Sequence, residues 1–176
     1  ANHLRLELSR EGASATVMLF GRTPERFGYS VGDIVDLAVT AEVSEYSGRE
    51  QVTLSAKGIR PSGIDEELLL RQIRLYERVR RGEELGEDAE ICRLTREDVA
   101  AVYRAVRSGF DGEDQALMSR LGAVGYVKMR LCLDVLEELK LVCCHRQVDV
   151  LSITSILTAQ KMNLNDSALF CRMSGM

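Results

Sequence analysis

Tryptophan is absent from this 176-residue chain, and all aromatic residues together make up only 5% of it. Base-stacking platforms, if present, are therefore few. Histidine is almost absent too: His3 and His145 are the only two, far short of the Asp/His cluster of a two-metal phosphodiesterase. A Gly-rich phosphate loop, a Gly-x-Ser-x-Gly elbow and a His-Glu-x-x-His helix are also missing. The chain itself is expected to hold no catalytic residue, no metal site and no cofactor. It has no run of about 18 apolar residues, which excludes an apolar spanning helix. No basic stretch followed by an apolar segment opens it, so no signal peptide is expected. The start at Ala1 reads as the edge of a cut-out segment.

The chain does have an ordinary globular balance, 45% hydrophobic and 28% charged, long enough to bury a core without disulfides or metal. Its five cysteines, Cys92, Cys132, Cys143, Cys144 and Cys171, are odd in number and mostly in apolar surroundings. They read as thiols of a reducing cytoplasm. Cys143-Cys144-His145 lacks a second ligand pair at metal-binding spacing. The net charge of −4 argues against gripping duplex DNA by general electrostatics. The excess acid lies in residues 64–100, with seven basic and eleven acidic groups, leaving both ends nearly neutral.

Residues 1–62 read as an antiparallel β domain. Leu4-Arg5-Leu6-Glu7-Leu8 alternates apolar and polar, the period of a half-buried strand. Glu11-Gly12 is a turn, and Ala15 to Phe20 returns with Val17 and Leu19 inward. After a Gly-, Pro- and Ser-containing loop at 21–33, Ile34 to Val43 places Val35, Leu37, Val39, Ala41 and Val43 on one face. Tyr46 to Arg49 turns the chain, and Val52 to Ala56 comes back. Strands with short polar turns and no helix predict an OB-like barrel, a fold that lays single strands across a curved sheet. The outward candidates for that task are His3, Arg5, Phe20, Arg22, Phe27, Tyr29, Tyr46, Arg49 and Lys57; Phe27 and Tyr29 alternatively plug the barrel end. About four strand segments are visible where an OB-fold has five. The barrel is therefore expected to lack its first strand, unless the 21–33 loop supplies one. An open edge invites a symmetric dimer.

Residues 63–91 read as a bridge. Ile64 to Arg81 has helical spacing, with Ser62 as the expected N-cap, and Gly82 to Glu90 is an acidic linker. Residues 92–176 read as a winged-helix-like domain. Thr95-Arg96-Glu97-Asp98 is a capping box, opening a helix with Val99, Val102, Tyr103 and Val106 inward. Ser108 to Gly112 breaks it, and helices follow at Asp114–Leu121 and Tyr126–Leu139. The stretch Val142 to Ile156, including Val148, Val150, Leu151 and Ile153, is β-like and fits a hairpin wing. In a DNA reader the third helix enters the major groove. Lys128 and Arg130 are its candidate contacts, opposed by Asp134, Glu137 and Glu138. Docking or scaffolding is therefore the favoured role of this domain. Residues 157–176 read as an irregular tail.

These segments carry a family resemblance. His3-Leu4-Arg5-Leu6, Leu19-Phe20-Gly21, Gly32-Asp33-Ile34-Val35-Asp36-Leu37, Glu45-Tyr46-Ser47-Gly48-Arg49-Glu50 and Gly58-Ile59-Arg60-Pro61 resemble the OB domain of RecJ exonucleases. Thr95 to Asp98 and Lys128 to Leu139 resemble the C-terminal extension of Firmicutes-type RecJ proteins. The resemblance implies a 5′-to-3′ single-stranded-DNA exonuclease whose metal-dependent DHH core, with its Mg or Mn, lies outside this chain, N-terminal to Ala1. It further implies that the OB part holds single-stranded DNA against that core. The extension would dock the core or a partner such as single-strand-binding protein. The ending at Phe170-Cys171-Arg172 departs from the family's more basic one. The opposing reading is a stand-alone protein-interaction or winged-helix regulatory module.

Overall fold

Alternation at the start of the chain becomes strand β1 (His3–Arg10), with Leu4, Leu6 and Leu8 half-buried and the residues between them exposed. Glu11 and Gly12 both take positive φ, 51° and 84°. That is the two-residue turn whose twist matches a β-hairpin, and it sets the register of β2 (Ala13–Phe20): Leu4 faces Leu19, Leu6 faces Val17 and His3 faces Phe20. The computed structural model describes residues 2–24, 27–46, 49–122, 124–147, 150–158 and 162–175, without the side chains of Ser44, Tyr46 and Arg49. The chain is α+β and divides into two units, residues 1–62 and 63–176.

In the first unit, β3 (Val35–Tyr46) and β4 (Arg49–Pro61) form a long antiparallel ladder. A bulge interrupts it: Ala38 faces Gly58 and Val39 faces Ala56, leaving Lys57 as the extra residue. The sheet order is β1-β2-β4-β3, and the β2–β4 join is parallel, through Val17 with Leu54 and Met18 with Ser55. The sequence predicts an antiparallel barrel; the sheet is open, with β1 and β3 at its edges, and one join runs parallel. The 21–33 loop supplies no closing strand among its described residues. Its aromatics go inward instead. Tyr29 is buried, Phe27 packs on the cluster Val17, Leu19 and Ala56, and the two rings lie 5.4 Å apart. On β3 only part of the alternating apolar face is covered. Leu37 packs on the core, whereas Val39 and Val43 are 44% and 68% exposed.

The second unit begins with α1 (Glu66–Arg80). Its N-cap is Asp65, which accepts the Leu68 N–H, rather than Ser62 as the sequence predicts. The acidic stretch after it is not a plain linker. Gly86–Asp88 makes a 3-10 turn that leads into α2 (Ala89–Cys92), and Asp88 is gripped by Arg71 at 2.7 Å and Arg78 at 3.1 Å. Helix α3 (Arg96–Val106) opens on the full capping box of Thr95 and Asp98. Then come β5 (Phe110–Gly112), α4 (Asp114–Leu121), α5 (Tyr126–Glu138), β6 (Val142–Gln147) and β7 (Val150–Ser155). The three strands form one sheet in the order β5-β7-β6. Val148 lies outside the described residues. Helix α5 is the hub: eight of its thirteen residues are buried, and α1, α2, α3, α4 and the later helix α6 (Ala168–Met173) all pack on it. The bridge helix therefore belongs to this unit. The expected irregular tail contains a 3-10 turn, Leu164–Asp166, and α6 (Ala168–Met173), because Ser167 caps the helix and Phe170 and Met173 find buried seats.

Candidate nucleic-acid interface

The hairpin register decides which candidates share a surface. With Leu4, Leu6 and Leu8 turned to the core, His3, Arg5 and Glu7 occupy the opposite face of β1, across from Phe20, Met18 and Thr16 of β2. The His3 and Phe20 rings stand 5.8 Å apart at 55°, and Phe20 is 59% exposed. An exposed, pre-paired aromatic surface of this kind can accept a nucleobase by stacking, worth about 1–3 kcal/mol per base. Beside it the Arg5 Nε donates to Glu7 Oε1 at 2.9 Å, and the Thr16 hydroxyl donates to the same carboxylate. Such an exposed pair contributes only about 0–1 kcal/mol, so a phosphate can compete with Glu7 for the guanidinium. Glu7, Met18 and Thr16 belong to this face although the sequence reading passed over them. The Glu11-Gly12 turn was the signal that places them there.

The other first-unit candidates are scattered. Arg22 is half-buried and already engaged. Lys57 is exposed at the β4 bulge. Tyr46 and Arg49 face one another as the last pair of the β3–β4 ladder, but their side chains lie outside the described residues, as do Ser47 and Gly48. Tyr29 is buried, and Phe27 is half-buried against the core.

Lys128 and Arg130 are committed elsewhere. Lys128 Nζ lies 3.1 Å from Asp98 Oδ2, tying α5 to the α3 cap. Burial works to raise the Asp98 pKa, but the Thr95 N–H, Lys128 and the Thr95 hydroxyl outweigh it and hold the carboxyl below its ordinary range. The Arg130 side chain is only 14% exposed. Its Nη1 meets Asp114 at 3.3 Å, its Nη2 donates to the Tyr76 hydroxyl at 3.3 Å, and its guanidinium lies 4.9 Å over the Tyr76 ring. Tyr76 in turn donates to Asp134 at 3.0 Å, and burial raises that carboxyl against the pull of Tyr76 and Arg130. Arg146 adds a second cation to Asp114 at 2.7 Å. The Tyr126 hydroxyl also donates to Asp114, and burial followed by that carboxylate pushes its pKa up to about 12. The remaining α5 acids are used as well. Glu137 accepts the Cys144 N–H at 2.8 Å, and Glu138 accepts from Ser167, Ala168 and Leu169 at the start of α6. The polar groups of α5 therefore hold its own unit together.

Cys92 and Cys132 are buried, Cys144 and Cys171 half-buried, and Cys143 exposed. Cys143 and Cys144 point to opposite faces of β6, a poor arrangement for one ion. Among the described residues no group of three or more His, Cys, Asp or Glu is placed to hold a metal ion, and no helix is long and apolar enough to cross a membrane. Comparison with known proteins gave no matching family model, no matching curated protein and no matching solved structure.

Proposed function

We propose that this chain is the non-catalytic, DNA-handling part of a RecJ-type single-stranded-DNA exonuclease, with the β1–β2 face of its first unit guiding the single strand. The observation that carries this reading is the exposed His3–Phe20 ring pair with Arg5 beside it on one sheet face. Strand order supports the OB-like element of the reading. A hairpin that meets β4 in parallel, with β4 returning antiparallel to β3, is compatible with an OB barrel that lacks its first strand. Catalysis, with Mg or Mn, would belong to a separate core, and the setting would be cytoplasmic.

The second unit fits a docking role for that core or for a partner such as single-strand-binding protein. From α3 to β7 its order is helix, strand, helix, helix, strand, strand, which supports a winged-helix-like reading. Its third helix is covered by neighbouring helices, and its cations are paired, so duplex reading through α5 is disfavoured. That same observation favours the second reading, a stand-alone protein-interaction module. Fluorescence-anisotropy titration with single- and double-stranded oligonucleotides at two salt concentrations separates the two. DNA handling requires single-strand preference with salt dependence, each released phosphate contact changing the slope by roughly 0.7. Absence of binding to either oligonucleotide leaves the interaction module.

A further inference from the structure

Among the described residues no strand pairs with the outer edge of β1, and the backbone phase of that edge is fixed. The Gly21 N–H donates to the Asn2 carbonyl at 2.8 Å, extending the ladder of the two-residue hairpin. In an antiparallel pair the bonded and non-bonded positions alternate. Asn2, Leu4, Leu6, Leu8 and Arg10 therefore bond toward β2, and the N–H and C=O groups of His3, Arg5, Glu7 and Ser9 point to the free edge. That edge is a template for one more strand.

Around Leu6 the sequence of β1 is charge-complementary to its own reverse. Two copies laid antiparallel about a twofold axis through Leu6 place Arg5 opposite the second copy's Glu7, and Glu7 opposite its Arg5. They place Leu4 opposite Leu8 and Leu6 opposite itself. The odd-numbered residues then meet as bonded pairs, in phase with the free groups, and the leucines extend the half-buried apolar face across the axis. Shifting the axis to Arg5 brings guanidinium against guanidinium, and shifting it to Glu7 brings carboxylate against carboxylate, so charge selects one register. The β3 and β6 edges do not share this property. β3 carries Asp36, Glu42 and Glu45 and no basic residue, so self-pairing gathers carboxylates. On β6 the Cys144 N–H is already taken by Glu137.

We propose that β1 is a homodimerisation edge: a second copy of this chain pairs with it antiparallel in the Leu6-centred register, forming one continuous sheet. The self-complementary Arg5 and Glu7 commit the edge to a second copy rather than to an unrelated strand. The proposal goes beyond the DNA-handling reading and meets it at one point: the first strand missing from that reading's barrel would take the same edge, so a chain carrying that strand should stay monomeric.

Sedimentation equilibrium of the whole chain, without nucleic acid, tests it. The weight-average mass should rise with concentration from 19.6 kDa toward twice that value. Arg5→Glu puts a carboxylate opposite Glu7 at two symmetric places and should weaken the dimer by about tenfold or more. The swap R5E/E7R restores opposite charges and should regain the original association to within about threefold. Glu7→Pro removes an N–H of the free edge while sparing the β1–β2 bonds, and should leave the monomer. The proposal is overturned by a chain that stays at the monomer mass, by a dimer indifferent to both Glu7→Pro and Arg5→Glu, or by a swap that fails to restore association. Because no oligonucleotide is present, none of these outcomes bears on strand binding.

Discussion

Gln72 on α1 and Gly125 at the head of α5 approach so closely that a Cβ on Gly125 would lie 2.5 Å from Gln72 Oε1. That oxygen accepts the Val127 N–H at 3.2 Å, so a side chain from α1 caps a helix whose own N-cap residue has none to offer. The Gly125 backbone, at φ −69°, suits alanine. Gly125→Ala should therefore act by displacing Gln72, costing about 1–2 kcal/mol. Gln72→Ala should cost a similar amount, and the double variant clearly less than the sum. Urea denaturation of the three variants measures this coupling.

Arg130 should matter for stability and not for DNA. Removing it leaves Asp114 and Tyr76 short of a partly buried partner, although Arg146 still faces Asp114. Arg130→Ala is expected to destabilise the second unit by about 3 kcal/mol, the low end for breaking a buried pair. Oligonucleotide affinity should be unchanged at a temperature where the variant is folded. A loss of affinity with unchanged stability would reverse the assignment.

Acid should loosen the second unit through Asp98. Its folded pKa is held below the ordinary value, so the stability it contributes is present above the unfolded pKa and is lost as pH falls through the folded one. Glu138 acts with the same sign, held low first by the Ser167 hydroxyl, against burial, and then by the N–H groups of Ala168 and Leu169. The denaturation midpoint should drop from about pH 5 downward. In Asp98→Asn the neutral-pH midpoint should already be lower, with a shallower further fall. A parallel pH dependence in the variant would exclude Asp98 as a source.

Glu138 also latches α6. Glu138→Ala should speed hydrogen exchange at the Ala168 and Leu169 amides by roughly tenfold, in line with a lost cap of about 1–2 kcal/mol. The amides of α3 should be unaffected. Mass-resolved exchange on peptides from residues 162–175 reads this directly.

Local signals in the sequence fared well and distant ones did not. The β1–β2 hairpin was legible because the alternation about Leu6 and the turn at Glu11-Gly12 agree, and α3 was legible because Thr95 and Asp98 lie within one turn. The apolar face of β3 was legible as a face, but alternation cannot say what covers it, and Val39 and Val43 stand exposed. Strand β5 is three residues long and exists through its pairing with β7, Phe110 opposite Ile153. Helix α6 depends on Glu138, and the pairing of Lys128 and Arg130 on Asp98 and Asp114. Those partners are distant in sequence, so the two cations read as free when they are not. On the candidate face, composition pointed to His3, Arg5 and Phe20, and only the turn-fixed register reveals that they stand together with Glu7.

The central claim is that single-stranded DNA lies on the β1–β2 face. Ultraviolet crosslinking of an oligothymidylate to the chain, followed by peptide mapping, tests it most directly. Crosslinked nucleotide is expected on peptides spanning residues 2–24, centred on His3 and Phe20, with Phe20→Ala reducing the yield severalfold. Crosslinks confined to α5 and the β6–β7 hairpin, or a yield indifferent to Phe20→Ala, would contradict it.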